Sequence, residues 1–381
     1  MSNILAKSVP HNECFSTLIE CVKEITDPRM DRMKLHPLSS IIILAICAII
    51  GGANSWVAVE EFGKNHRQWF LQFLEFPFGI PSHDTINRVF GSLNHKELME
   101  WLWIWLESIQ EMQGNQISLD GKVIKSWKSE NPLTILRACA AECRLILGQI
   151  KVPNGTNEIT AIPMLLNMLH LEGKIVTIDA IGTQKNIAQL IIDKGAQYVL
   201  PVKRNQFRLH DDVKLFLDEM ITDQFDNVHY TYHETENCGH GRHEIRKCWA
   251  TEHIDWFEEK HLWAHMKSII VIESTRTVKD KTTVSKRYFL SSLPANAERL
   301  LSVVRSHWSI ENGPHWSMDL IFEEDRSTIR KGQGPQNFAL LRSLAYSLLK
   351  KEPSKMSMKA KRAKANCHLG YLMKVLLSSR L

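Results

Sequence analysis

The chain has 381 residues, 44% of them hydrophobic and 23% charged, and a net charge of +5. Those values exclude a disordered chain, and the length suits two or three domains of roughly 100–200 residues each. The mild basic excess suits a polyanionic partner without demonstrating one. Cys14, Cys21, Cys47, Cys139, Cys143, Cys238, Cys248 and Cys367 form no regular framework and follow no secretory signal. They read as reduced thiols of a cytoplasmic protein. The apolar run Ile41–Ile50 is too short for a bilayer, which takes about 20 residues. It is expected to be a buried helix, with no membrane partner.

Residues 1–114 read as an all-helical N-terminal domain. Cys14 to Lys23 has helical spacing, and Pro37 to Ile50 is stopped by Gly51-Gly52. Trp56–Phe62 and Gln68–Leu74 are short amphipathic pieces, and Pro77, Gly79 and Pro81 break the pattern. Ser82 is placed to cap a helix over HDTINRVFGSL, because its hydroxyl can accept a free backbone N–H. A last helix runs from His95 to about Met112. The short capped helix bears Asn87 and Arg88, so the domain is either a DNA-reading unit or a helical packing domain.

Residues 115–350 change character. In QISLDGKVIKSW, Ile117 and Leu119 alternate with polar neighbours, and the predicted strand ends on Asp120. Two more strands follow at Ile135–Ala141 and Leu145–Val152, then a helix over Asn157–His170. A second apolar strand, KIVTIDAIG, ends on Asp179. A helix over Gln184–Lys194, closed by Gly195, leads to a strand at Tyr198–Lys203 and a helix over residues 206–220. The order β-β-β-α-β-α-β predicts an α/β fold, a mixed sheet with flanking helices, in which the two aspartates lie side by side. Residues 222–294 read as a β-rich insertion of four strands. Helical period resumes near Ala295 and carries Arg305, His307, Trp308 and Glu311; a final helix spans about Gln336–Leu349. Residues 351–381 form a basic C-terminal tail, read as solvated or as a nucleic-acid contact.

A carboxylate closing an apolar strand is costly unless something positive lies against it. For Asp120 that is either Lys122 or Lys125, or a metal ion. Two such aspartates offer hard oxygen ligands suited to Mg²⁺. A third carboxylate would allow a metal pair about 3.5–4 Å apart, the arrangement that cleaves phosphodiesters. Glu311 is the best third candidate, with a surface ion pair as its bland alternative.

The wording of the segments narrows the choice. HPLSSIIILAICAIIGGANSWVAVEEF, GIPSHDTINRVF, LDGKVIKS, NEITAIPMLLNML, GKIVTIDAIGTQKNIAQLIIDKGAQYVLPVKRNQ, GHGRHEIR, YFLSSL, RSHWSIEN, HWSMDLIFEEDRS and QNFALLRSLA run almost from end to end. In order and wording they resemble the H-repeat-associated, ISAs-type insertion-sequence transposases of the DDE superfamily. The resemblance implies an RNase H-like catalytic domain, with Asp120, Asp179 and Glu311 as both catalytic triad and metal ligands. It implies Mg²⁺, with Mn²⁺ as a substitute, and double-stranded DNA as partner, both the element's terminal repeats and the target. A homodimer is the expected form on DNA. Lys122, Lys203, Arg305, His307, Arg326 and Arg330 are the candidate phosphate contacts. The competing functions are a metal-dependent nuclease without strand transfer and a DNA-binding remnant that recognises ends without cutting.

The chain departs from the family pattern after Glu311, where Gly313-Pro314 stand in place of a leucine. A proline inside a helix costs about 3 kcal/mol, so the helix is expected to kink or stop there and the copy to be poorly active. Leucine at 314 should then raise cleavage. Cys238, His240, His243 and Cys248 lie close in sequence, but their spacing fits no usual zinc pattern, and no zinc is expected there.

Overall fold

The structure, a computed structural model, describes residues 13–108, 114–125, 132–222, 228–239, 241–279 and 281–377. Helices α1 (Glu13–Lys23), α2 (Leu38–Ile50), α3 (Trp56–Asn65), α4 (Arg67–Phe70), α5 (His83–Ser92) and α6 (His95–Ser108) come first. The expected continuation of α6 toward Met112 lies outside the described residues. α2 carries no charge, and all its residues but Ser39 are buried. A helix that is apolar all round must be covered by other helices, and α2 is the hub of this layer. Among the described residues no helix is long and apolar enough to cross a membrane. Ser82 caps α5, accepting the Thr85 N–H at 3.4 Å. Ile86, Val89 and Phe90 face inward and Arg88 stays exposed.

The α/β part runs β1 (Gln116–Ile124), β2 (Leu133–Ala140), β3 (Leu145–Lys151), α7 (Glu158–Met168), β4 (Ile175–Ile178), α8 (Lys185–Asp193), β5 (Gln197–Val202) and α9 (Phe207–Thr222). It continues with β6 (Thr231–Gly239), β7 (Arg242–Thr251), β8 (Ser268–Val278), β9 (Lys281–Ser291) and α10 (Ala297–His307). Among the described residues these nine strands form one mixed sheet, in the order β3-β2-β1-β4-β5-β9-β8-β7-β6. β1, β4 and β5 are parallel neighbours, whereas β2 and β9 run antiparallel to them. The β-rich segment is therefore an extension of the same sheet, joined through β9 on β5.

Period-two alternation splits β1 between two layers. Ile117 and Leu119 pack with α7, α8 and α9 on one face. Gln116, Ser118 and Asp120 take the opposite face, toward α10, where Ile175 of β4 packs against Leu300, Leu301 and Val304.

After α10 come α11 (Trp316–Leu320), α12 (Gly334–Lys351), α13 (Met358–Cys367) and α14 (Leu369–Leu377). The segment read as a basic tail is thus two helices, and the charge pattern misled for a physical reason. Lys361 and Arg362 are each 5% exposed. Lys361 Nζ donates to Leu349 O at 3.0 Å and to Glu352 O at 2.5 Å, closing the carbonyl end of α12. Arg362 Nη2 donates to Ile49 O at 3.0 Å and Ala53 O at 3.4 Å, closing that of α2. Unsatisfied carbonyls at a helix C-terminus are where a buried cation is most useful. The N-terminal helices share one continuous core with α12–α14, from Leu18 and Ile46 to Phe338 and Leu372.

Candidate active site

The parallel pairing of β1 with β4 ends at Leu119 opposite Ile178. The next residues on the two strands are Asp120 and Asp179, so register alone makes the aspartates neighbours. Asp120 is not at a strand end, as the sequence reading had it. β1 continues to Ile124, paired only with β2, and the carboxylate sits where β4 stops covering it.

The third carboxylate, Glu311, follows the C-terminal end of α10. The position of α10 on the sheet is set by a buried polar chain: Gln116 Nε2 donates to Val303 O at 2.9 Å and to Thr177 Oγ1 at 3.3 Å. Thr177 donates to Ser118 Oγ at 3.0 Å, and His307 Nδ1 lies 2.9 Å from Thr177 Oγ1. Burial draws the His307 imidazole down to about 4, so it is neutral near pH 7. One turn further on, Glu311 lines a cleft of about 400 Å³ with Asp179, Lys203, Arg287, His307 and Trp308.

The chain neither stops nor restarts after Glu311. Glu311–His315 form a π turn that leads directly into α11. Trp316 N–H donates back to Glu311 O, five residues earlier. The wider turn takes up Pro314, whose ring would strike the carbonyl four residues before it in a regular helix. Glu311 therefore keeps its place at the cleft. On this geometry Pro314→Leu is expected to change nicking by less than about tenfold, which is about 1.4 kcal/mol of barrier. A gain of a hundredfold in a single-turnover assay would restore the broken-helix reading.

The carboxyls act on one another. Burial, then the charges of Asp179, Glu311 and Glu158, push the Asp120 carboxyl up to about 7. Glu158, the first residue of α7, had no signal in the sequence. Its carboxyl rests on Gly121: a Cβ built there would lie 1.9 Å from Glu158 Oε1, so glycine is what permits the approach. Burial, then Asp179, raises its carboxyl as well. His315 was also missed; its Nδ1 lies 3.4 Å from Asp120 Oδ2, and burial draws its ring down to about 3. Its Nε2 is buried, with no hydrogen-bond partner among the described residues. Hard oxygen donors carrying excess negative charge are what a divalent cation fits. Asp120, Asp179 and Glu311 could hold one, with Glu158 in reserve.

The proposed phosphate contacts divide. Lys203 Nζ is 3.5 Å from Asp179 Oδ1 and more than half exposed at the cleft wall. His307 lines the same cleft but is tied to Thr177. Arg305 is exposed in a separate groove with Arg144 and Glu298. Arg326, 3.6 Å from Glu323, and Arg330 are exposed away from the cleft lining. Lys122 does not fit a phosphate contact. It is inside, paired with Asp319 and, at 3.4 Å, with Glu324, which also binds Arg137 at 2.5 Å. Burial draws the Arg287 guanidinium down, against the pull of Glu311 and Asp179.

The Cys/His cluster does not assemble as a unit. Cys248 is buried in the core beside α10 and His240 lies outside the described residues. Glu236, Cys238 and His243 gather at the β6–β7 hairpin tip, their ligand atoms within 4.8 Å of one another. Among the described residues this is the group of three potential ligands drawn that close, so the Asp120 cluster is wider.

Two family models match the chain: a DDE_Tnp_1-associated region over residues 19–106 and a transposase DDE domain over residues 127–348. The second span includes Asp179 and Glu311 and begins just after Asp120. The chain is 33% identical over 377 residues to the "H repeat-associated putative transposase YhhI" of Escherichia coli K12, covering 96% of this chain and 98% of that protein. It is 34% identical over 372 residues to the "Putative transposase YncI" of E. coli O157:H7, covering 95% of each. A piggyBac transposase synaptic complex with hairpin DNA covers 95% of this chain and 80% of its own, at 10% identity and a TM-score of 0.47. On the family match and the near-complete relatives, the chain belongs to the H-repeat-associated family of DDE transposases.

Proposed function

We propose that the protein cleaves phosphodiesters at the ends of its insertion sequence and joins the freed 3′-hydroxyls to target DNA. The observation that carries this reading is the register that makes Asp120 and Asp179 adjacent, together with the cleft that Asp179 and Glu311 both line. The sheet order β3-β2-β1-β4-β5, with β2 alone antiparallel within that set, supports an RNase H-like core.

Asp120, Asp179 and Glu311 would hold Mg²⁺, or Mn²⁺ in its place. When bound, such ions activate the attacking oxygen and stabilise the leaving one. The chain's own residues do the rest. β1 and β4 fix the two aspartates rigidly, the Gln116–Thr177–His307 chain fixes α10, and the π turn aims Glu311 into the cleft. Neutral His307 adds no charge that would compete for the carboxylates. The exposed face of α5, with Arg88, would contact the terminal repeats, one copy of the chain on each element end.

The test is a labelled duplex carrying the element's terminal repeats, incubated with Mg²⁺ and then Mn²⁺. Nicking that needs metal and disappears in Asp179→Ala is expected, followed by joined products with target DNA. Nicking without joining would reduce the protein to a nuclease. Binding without nicking would make it an end-binding remnant.

A further inference from the structure

The acidic cleft has one wall of a different kind. The pairing of β5 with β9 ends at Val202 opposite Tyr288. The next positions are Lys203 and Arg287, so the β-rich extension delivers an arginine to the same end of the sheet as Asp179. Arg287 lines the cleft with Asp179 and Glu311. Its guanidinium carbon lies 4.2 Å from the centroid of the Trp308 ring. Trp308, at the C-terminal end of α10, is 41% exposed, which is unusual for so large an aromatic side chain. Among the described residues the Arg287 guanidinium makes no ion pair; the stack on Trp308 is what holds it.

A stacked guanidinium keeps its edge free. That edge carries coplanar N–H donors whose spacing matches two oxygens of a phosphate. The alternatives in the cleft are poorer. Lys203 is a flexible point charge already close to Asp179, and His307 is spent on Thr177. A polyanion entering among carboxylates needs a positive group on the far wall even after metals neutralise the near one. We propose that Arg287 donates to a non-bridging oxygen of the DNA phosphate in the cleft, with Trp308 as the positioning residue that sets the plane of its guanidinium. The inference rests on the reading of this cleft as a phosphodiester-cleaving site. It assigns the β-rich extension a direct part in the chemistry.

The test compares wild type, Asp179→Ala, Arg287→Ala, Arg287→Lys, Trp308→Ala and Trp308→Phe in single-turnover nicking of the terminal-repeat duplex with Mg²⁺. A second duplex carries a methylphosphonate at the scissile position, which replaces a charged non-bridging oxygen by a methyl group. Arg287→Ala should slow nicking on the order of 100-fold, the scale of losing one preorganised donor. Arg287→Lys should recover only part of the rate. Trp308→Phe should stay near wild type and Trp308→Ala should fall between. The methylphosphonate should slow the wild type far more than Arg287→Ala, a dependence that a merely structural role would not produce. If wild type nicks and Arg287→Ala stays within about threefold, about 0.7 kcal/mol, the arginine assignment is wrong and the cleavage reading stands. If wild type itself does not nick, the cleavage reading fails. The ratio of affinities for the two duplexes then decides, and an equal ratio in wild type and Arg287→Ala overturns the proposal.

Discussion

Asp120→Asn is expected to abolish metal-dependent nicking and at the same time to raise the melting temperature of the metal-free protein at pH 7.5. The first effect follows from removing a hard anionic ligand. The second follows from the charge crowding at the site. In the fold, burial and then the charges of Asp179, Glu311 and Glu158 hold the Asp120 proton up to about 7, whereas an unfolded aspartate releases it near 4. Between those values the folded chain binds more protons than the unfolded one, so stability falls as pH rises from about 4 to about 7. The whole loss, up to about 4 kcal/mol, is in force above pH 7. Asparagine never ionises and escapes it. Thermal melts of both proteins in chelator at pH 4.5 and pH 7.5 check this. The variant should gain several degrees at pH 7.5 and little at pH 4.5, and Mg²⁺ should raise the melting temperature of wild type more than that of the variant. An equal loss of stability at both pH values would mean that Asp120 is a structural residue.

Glu324→Ala should be the most destabilising single change outside the apolar core, by about 3–5 kcal/mol. Glu324 is fully buried and binds Arg137, itself fully buried, at 2.5 Å. Burial pushes its carboxyl up, but Arg137, then Lys122 and Arg342, outweigh that and hold it below the ordinary range. Removing the carboxylate would leave Arg137 and Lys122 inside with a main partner gone, although Lys122 keeps Asp319. Arg137 is on β2 and Lys122 on β1, two residues past Asp120, so the damage would reach the site. Urea unfolding measures it. Glu324→Gln, which keeps an acceptor, should cost less. Adding Arg137→Ala to Glu324→Ala should cost less than the sum of the two single changes, because the orphaned charge goes with it. A loss below about 1 kcal/mol for Glu324→Ala, the size of an exposed pair, would show that the network does not bear on stability.

Much of the architecture was legible because periodicity is local. The alternation in QISLDG and KIVTID marked two strands, and the wording of the segments matched the family. The Ser82 cap was also readable, since it needs only neighbours in sequence. The readings that failed depended on partners far along the chain. Lys122 looked like a surface cation, but its partners Asp319 and Glu324 lie some 200 residues away. Lys361 and Arg362 looked like a solvated tail, yet they cap helices that end at Lys351 and Ile50. The break expected at Pro314 assumed regular α-geometry, and a π turn offered another way to pass a proline.

The strand and helix pattern, the acidic residues available and the family are legible in the chain's local wording. Local hydrophobic period and segment wording are properties of neighbours along the chain. That Glu158 and His315 join the aspartates, that Lys122 is withdrawn inside, and that Arg287 lines one cleft with Glu311 came from the fold. Those outcomes depend on strand register and on the seating of α7 and α10 against the sheet. Register and seating are set by packing and hydrogen bonds between residues distant in sequence, which no local pattern encodes.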